Sequence, residues 1–210
     1  PKSSDLQSRG LCKLAEWAAD PASLPPDLVE GTLSTVVGVA KSHERSVAVQ
    51  TEALKAVVNM CSSAQANALR GKLLLLGAHT LVKNAMNVHL NDDATLYALG
   101  CQALGLLFSE SDRTLQAVTE EEIDAISMAM QMHPQNPSVQ SRGCRALQNL
   151  TSGSIWNERV ALGAEHSGTV EAIVDAMEFH PEVMDVQECG LGTMCNLSRH
   201  HDAPQTGTSG

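Results

Sequence analysis

The feature that most limits what this chain can become is that it repeats itself. The run Val139-Gln140-Ser141-Arg142-Gly143-Cys144-Arg145-Ala146-Leu147-Gln148-Asn149-Leu150 returns as Val186-Gln187 through Asn196-Leu197. It returns again from Val49-Gln50 to Asn59-Met60, from Leu96-Tyr97 to Leu106-Leu107, and from Leu6-Gln7 to Glu16-Trp17. With the residue at the Gln place as phase marker, the copies fall at 7, 50, 97, 140 and 187, so the spacing alternates between 43 and 47 residues. A period of this length implies units that cannot bury their apolar faces alone and do so by stacking on their neighbours.

Within a copy, Val139, Gly143, Ala146, Leu147 and Leu150 recur at the intervals of one face of an amphipathic helix. Gly10, Gly100, Gly143 and Gly190, with Ala53 in the second copy, take the same place in that helix. A mid-helix glycine costs about 1 kcal/mol relative to alanine, so its recurrence predicts a close approach by a neighbouring helix. Another helix precedes this one: Leu33, Val36, Val37 and Ala40 align with Ile123, Ile126, Ser127 and Met130, and with Val170, Ile173, Val174 and Met177. It is predicted to end at His43, His133-Pro134 and His180-Pro181, and at His89 in the third copy, where the loop holds one residue more. Proline cannot continue the hydrogen-bond ladder, and an imidazole can bond the free carbonyls of a helix end.

A third, shorter helix is expected over Ala68–Leu76 and Asn157–Ala164, with a one-to-two-turn version at Asp112–Val118. Asp20-Pro21 and Leu24-Pro25-Pro26-Asp27 replace it by turns between the first two copies. No strand signal interrupts the pattern. The expected organisation is a single array over residues 1–198, made of a partial repeat 1–20 and repeats at about 27–63, 64–110, 111–153 and 154–198, followed by a polar tail 199–210.

A three-helix unit of this length falls in the range of HEAT and armadillo arrays. The string at Val139–Leu150 resembles the third helix of an armadillo (ARM) repeat. The preceding Ala129-Met130-x-x-His133-Pro134 looks like the variant in large eukaryotic scaffold proteins, including the armadillo region of leucine-rich-repeat kinases. The resemblance runs from Leu6 to Ser198. It implies an all-α, right-handed α-solenoid whose third helices line a concave groove for a partner segment. In armadillo proteins that bind basic targeting peptides, an Asn near the end of the third helix follows a Trp four residues earlier. Asn59, Asn149 and Asn196 match the Asn, but Lys55, Arg145 and Gly192 stand at the Trp place, and Glu16 and Leu106 replace Asn in the other copies. The departure argues against a nuclear-import receptor.

Residues seven and four before the Asn share its helix face. The candidate strip is therefore Arg9, Cys12 and Glu16, then Glu52, Lys55 and Asn59, then Leu99, Gln102 and Leu106, then Arg142, Arg145 and Asn149, then Cys189, Gly192 and Asn196. Arg142, Arg145 and Asn149 are its expected centre, since two guanidinium groups one turn apart can grip a carboxylate or phosphorylated side chain. The competing reading makes them solvated polar residues, and makes the asparagines caps of their own helices. For His43, His133 and His180, capping is preferred to metal binding: packed helices lie about 8 to 10 Å apart, too far for phase-equivalent ligands to share one zinc ion.

Composition narrows the partners. Fourteen Lys and Arg against 24 Asp and Glu give −10, which disfavours nucleic acid and anionic membranes. Only two Trp, one Tyr and two Phe are present, too few for a base-stacking platform, and Trp17 and Trp156 are expected to be packing anchors. No apolar run approaches the roughly 20 residues of a transmembrane helix. Cys12, Cys61, Cys101, Cys144, Cys189 and Cys195 fall in apolar helical patterns without a C-x-x-C pair, as free thiols of a reducing compartment do: the cytosol, with the nucleus as alternative. Pro1 and the polar run after it suit a piece of a longer polypeptide.

Nucleophile-elbow, phosphate-loop, zinc-protease and dinucleotide motifs are missing from the sequence, and Glu120-Glu121-Glu122 reads as a helix start favoured by the dipole. The expected function is a non-catalytic protein–protein interaction scaffold without cofactor. Its partner is a protein or peptide bound through Glu52, Lys55, Asn59, Gln102, Arg142, Arg145, Asn149 and Asn196. The alternatives are an accessory module of a larger, kinase-type multidomain protein and an oligomerisation element that self-associates through uncapped array ends.

Overall fold

A computed structural model describes residues 2–19, 26–63, 66–89, 94–109, 119–152 and 168–201. All regular structure among them is helical: α1 (Lys2–Ala19), α2 (Pro26–Ser42), α3 (Val47–Ser62), α4 (Ala66–Leu75), α5 (Ala78–Val88), α6 (Ala94–Leu107), α7 (Glu120–Met132), α8 (Pro137–Thr151), α9 (Thr169–Phe179) and α10 (Met184–His201). The helices expected at 112–118 and 157–164, and Trp156, lie outside the described residues, as does the side chain of Trp17. The final helix continues through His201, three residues into the stretch predicted as tail.

Two layers result. The repeated long helices α1, α3, α6, α8 and α10 pack side by side in chain order, and α2, α5, α7 and α9 form the second layer. Each second-layer helix folds back on the long helix after it, giving the hairpins α2–α3, α5–α6, α7–α8 and α9–α10, while α4 wedges against α3, α5 and α6. The core between the layers is the predicted stripe: Val139, Ala146, Leu147 and Leu150 are buried, as are Ile123, Ile126 and Met130 opposite them. Burial of each such side chain contributes roughly 1.5 to 3 kcal/mol.

The repeated glycines have the cause expected of them. A Cβ at Gly143 would lie 2.6 Å from Cγ and Sδ of Met130, and one at Gly100 would lie 2.6 Å from Sδ of Met86. Met177 stands likewise against Gly190. At Gly10 no described residue comes within 4 Å.

The phase-marker glutamines prove to be structural. Gln140 Nε2 donates to the carbonyls of Met130 (2.8 Å) and His133 (2.9 Å). Gln50 does the same to Ala40 and His43, and Gln187 to Met177 and His180. Tyr97, which replaces Gln in the third copy, donates its hydroxyl to His89 O at 2.9 Å. Each closes the corner between two helices by occupying carbonyls that a helix C-terminus leaves free.

The histidines end the second-layer helices as predicted, and His43 caps its own helix, through Nδ1 to Val39 O at 3.1 Å. His89 Nε2 donates to Glu44 O and His180 Nε2 to Pro134 O, both at 2.8 Å, so these two tie their corner to the corner of the preceding repeat. Among the described residues His133 Nε2 is buried without a hydrogen-bond partner, and its ring stands 4.6 Å from that of Tyr97.

Candidate functional site

The candidate face is the row of long helices seen from the side away from the second layer. Helix α8 begins cleanly because Asn136 Oδ1 accepts from the N–H groups of Ser138 (3.0 Å) and Val139 (3.1 Å), with Pro137 in the first turn. Its period then places Arg142, Arg145 and Asn149 outside the core.

Most of the strip is accessible, with two corrections: Leu99 and Cys189 are buried, at 8% and 4% exposure, because they pack into the joints between long helices. Glu52 and Lys55, one turn apart on α3, pair with each other at 2.8 Å. Arg145 donates to Asp185 Oδ1 of α10 at 2.7 Å. Arg142 is half-buried near the Cys101 thiol, whose pKa it pulls against burial, and makes no hydrogen bond or ion pair among the described residues. The two arginines are therefore not equivalent: one charge is already matched by a neighbouring repeat, the other is open. Gln102, half-buried on α6, precedes Arg142 along the strip.

Asn149 and Asn196 neither cap their own helices nor stand free. Asn149 Nδ2 donates to Gly105 O at 3.1 Å, and Asn196 Nδ2 donates to Thr151 Oγ1 at 3.1 Å and to Gln148 O at 3.4 Å. Each reaches back to the preceding long helix, at the residue just before the Asn place or beyond it. Asn59 is also engaged. The approach at Gly105 is so tight that a Cβ there would lie 2.8 Å from Ala146 Cα.

The cysteines hold no activated nucleophile among those with a shifted pKa. Burial pushes Cys61, Cys101 and Cys144 up to about 12, and raises Cys189. Cys12 is raised by the Glu52 charge beside it. Cys195, expected inside an apolar pattern, is exposed. No group of three His, Cys, Asp or Glu among the described residues is placed to hold a metal ion, and no described helix is long and apolar enough to cross a membrane.

Sequence reasoning missed one charged cluster. Lys83 of α5, 8% exposed, contacts Glu121 Oε2 at 2.6 Å and Glu122 Oε1 at 2.7 Å on α7 of the next repeat. Glu122 is 1% exposed and also accepts from the backbone N–H of Thr119 at 2.9 Å and from its hydroxyl, a capping-box arrangement. The Glu120–Glu122 run thus does open a helix, but its third member is a buried inter-repeat partner. The capping spacing of Thr119 and Glu122 was a visible signal; the distant Lys83 was not.

Residues 64–160, from the start of the α4 unit past the end of α8, match the family model described as LRRK2 ARM repeat. No curated protein and no solved structure matches the chain.

Proposed function

We propose, from the armadillo character of residues 64–160, that the chain is a non-catalytic interaction scaffold: a right-handed superhelix whose long helices line a concave groove for an extended segment of a partner protein. Arg142 anchors the segment, with Gln102 beside it. The observation that carries this reading is the half-buried, open guanidinium of Arg142 in the middle of a strip whose Lys55 and Arg145 are already paired. An open arginine there suits one carboxylate held bidentately. Arg145 contributes secondarily, when Asp185 yields it, and Glu52, Lys55, Asn59, Asn149 and Asn196 shape the groove walls.

A photo-crosslinking amino acid at position 102, followed by capture from a library of extended peptides, tests the groove. Capture that falls about tenfold or more in Arg142→Glu supports the assignment; capture indifferent to that change refutes it.

A second reading, self-association through the outer face of α10, has its own observation. Leu191 is 57% exposed, whereas Leu11, Leu54, Cys101 and Cys144 at the same place in the other copies are buried. Sedimentation over a concentration series tests it: a constant mass refutes self-association, and a rising mass suppressed by Leu191→Glu supports it.

A further inference from the structure

A different surface stands out along the corners where second-layer helices turn into long ones. Val88, Met132 and Phe179 are each the last residue of a second-layer helix, immediately before His89, His133 and His180, and Ser42 holds that place in the second copy. All three are exposed, at 49%, 37% and 51%. Exposure at the same phase in successive units places them in a row along one edge. The imidazole link from His180 to the Pro134 carbonyl joins the Phe179 and Met132 corners, and that from His89 to the Glu44 carbonyl joins the Val88 corner to the one before it. Met184, 71% exposed at the start of α10, extends the apolar pad beyond Phe179.

The charge around the row changes along it. Gln131, Gln135 and Asn136 make the Met132 corner uncharged. Residues 168–198 carry Glu171, Asp175, Glu178, Glu182, Asp185 and Glu188, with no Lys or Arg. All six are exposed, and among the described residues only Asp185 has an arginine partner. The acidic end excludes an anionic membrane, and a second copy of a chain at −10 meets like charge there.

We propose that Val88, Met132 and Phe179 form a docking line for an amphipathic helix of a partner protein, with apolar side chains seven residues apart and basic residues at the end over Phe179. Neighbouring packed helices stand about 8 to 10 Å apart. Seven residues of an α-helix advance about 10.5 Å and come back to within about 20° of the same face, so apolar side chains at i, i+7 and i+14 meet successive corners, whereas a spacing of five turns the next side chain about 140° away. Lysines or arginines at that end complement the exposed carboxylates nearest Phe179 in the chain, Asp175, Glu178 and Glu182.

Fluorescence anisotropy with the full chain decides the matter, using two synthetic helical probes of about 18 residues and equal composition. One carries leucines seven apart with lysines over its last turn; the other carries them five apart. The first is expected to bind at least about tenfold more tightly, to lose about tenfold in Phe179→Glu and in Met132→Glu, and to weaken as salt is raised from about 50 to about 200 mM. Equal affinity for the two probes, binding of neither, or binding untouched by both substitutions overturns the proposal. So does a Phe179-dependent dimer in sedimentation. Both substituted residues are exposed, so unchanged helical circular dichroism and melting are expected of the variants; should a variant unfold, the comparison of probes on the wild type still decides.

Discussion

At the scale of single residues, one sequence position can have opposite energetics in different copies. Gly10 and Gly143 occupy the same phase, yet a methyl group would meet no described residue at the first and the Met130 side chain at the second. Gly10→Ala is expected to stabilise by up to about 1 kcal/mol through helix propensity alone. Gly143→Ala is expected to cost about 1 to 3 kcal/mol, because Met130 is fully enclosed and has nowhere to retreat. Urea midpoints of the two variants check the difference in sign. Gln140→Ala should likewise cost about 1 to 3 kcal/mol by removing two side-chain bonds at a buried corner, leaving the Met130 and His133 carbonyls only the turn bonds from the backbone N–H groups of His133 and Asn136, while Gln135→Ala on the exposed loop leaves the midpoint unchanged. The glycines were legible because a poor helix former kept returning. The glutamines were visible only as a marker, since nothing in their spacing shows that the amide turns inward to the preceding helix.

At the scale of helices, the joint between α5 and α7 carries the most buried ion pair among the described residues. Burial opposes the charge on Lys83, but hydrogen bonds to Glu121 and Glu122 outweigh it and raise the amine above its usual value. Burial also opposes ionisation of Glu122, and the bonds from Lys83 and Thr119 outweigh it and hold the carboxyl below its usual value. The Glu122 contribution is therefore present above its unfolded value of about 4.3 and lost as pH falls through the lower folded one; that of Lys83 is present below about 10.4 and lost as pH rises through the higher folded one. Melting temperature is expected to be flat between about pH 5 and 10 as far as this pair is concerned. Lys83→Met should cost about 3 to 5 kcal/mol near neutrality by stranding a buried carboxylate. That deficit should shrink as acid protonates Glu122, and melts at pH 7 and pH 4 check it. The helices and their His-marked ends could be read from periodicity. The pairings of Lys83 with Glu122 and Arg145 with Asp185 could not, because their partners lie some forty residues away and on another helix. For the same reason the expected pair of equivalent arginines resolves into one bound and one open.

At the scale of the whole molecule, the alternating spacing predicts that units are separable. Removing residues 97–139, one 43-residue period, joins Leu96 to Gln140 in phase and keeps a glutamine at the corner. The shortened chain is expected to remain helical and to melt cooperatively at a lower temperature, while removing half a period should abolish cooperative melting; circular dichroism distinguishes the two. The layered array followed from the repeat itself. What each face presents to a partner did not, since it depends on which charges neighbouring units neutralise.

The corner-closing bond of Gln140 spans only ten residues, and its counterparts on Gln50 and Gln187 span the same distance. Contacts so local form before distant segments must meet, and so cost little chain entropy. Folding can therefore start at several corners independently and spread outward, and an injury to one hairpin can be contained, leaving its neighbours standing while that stretch alone becomes open to a protease.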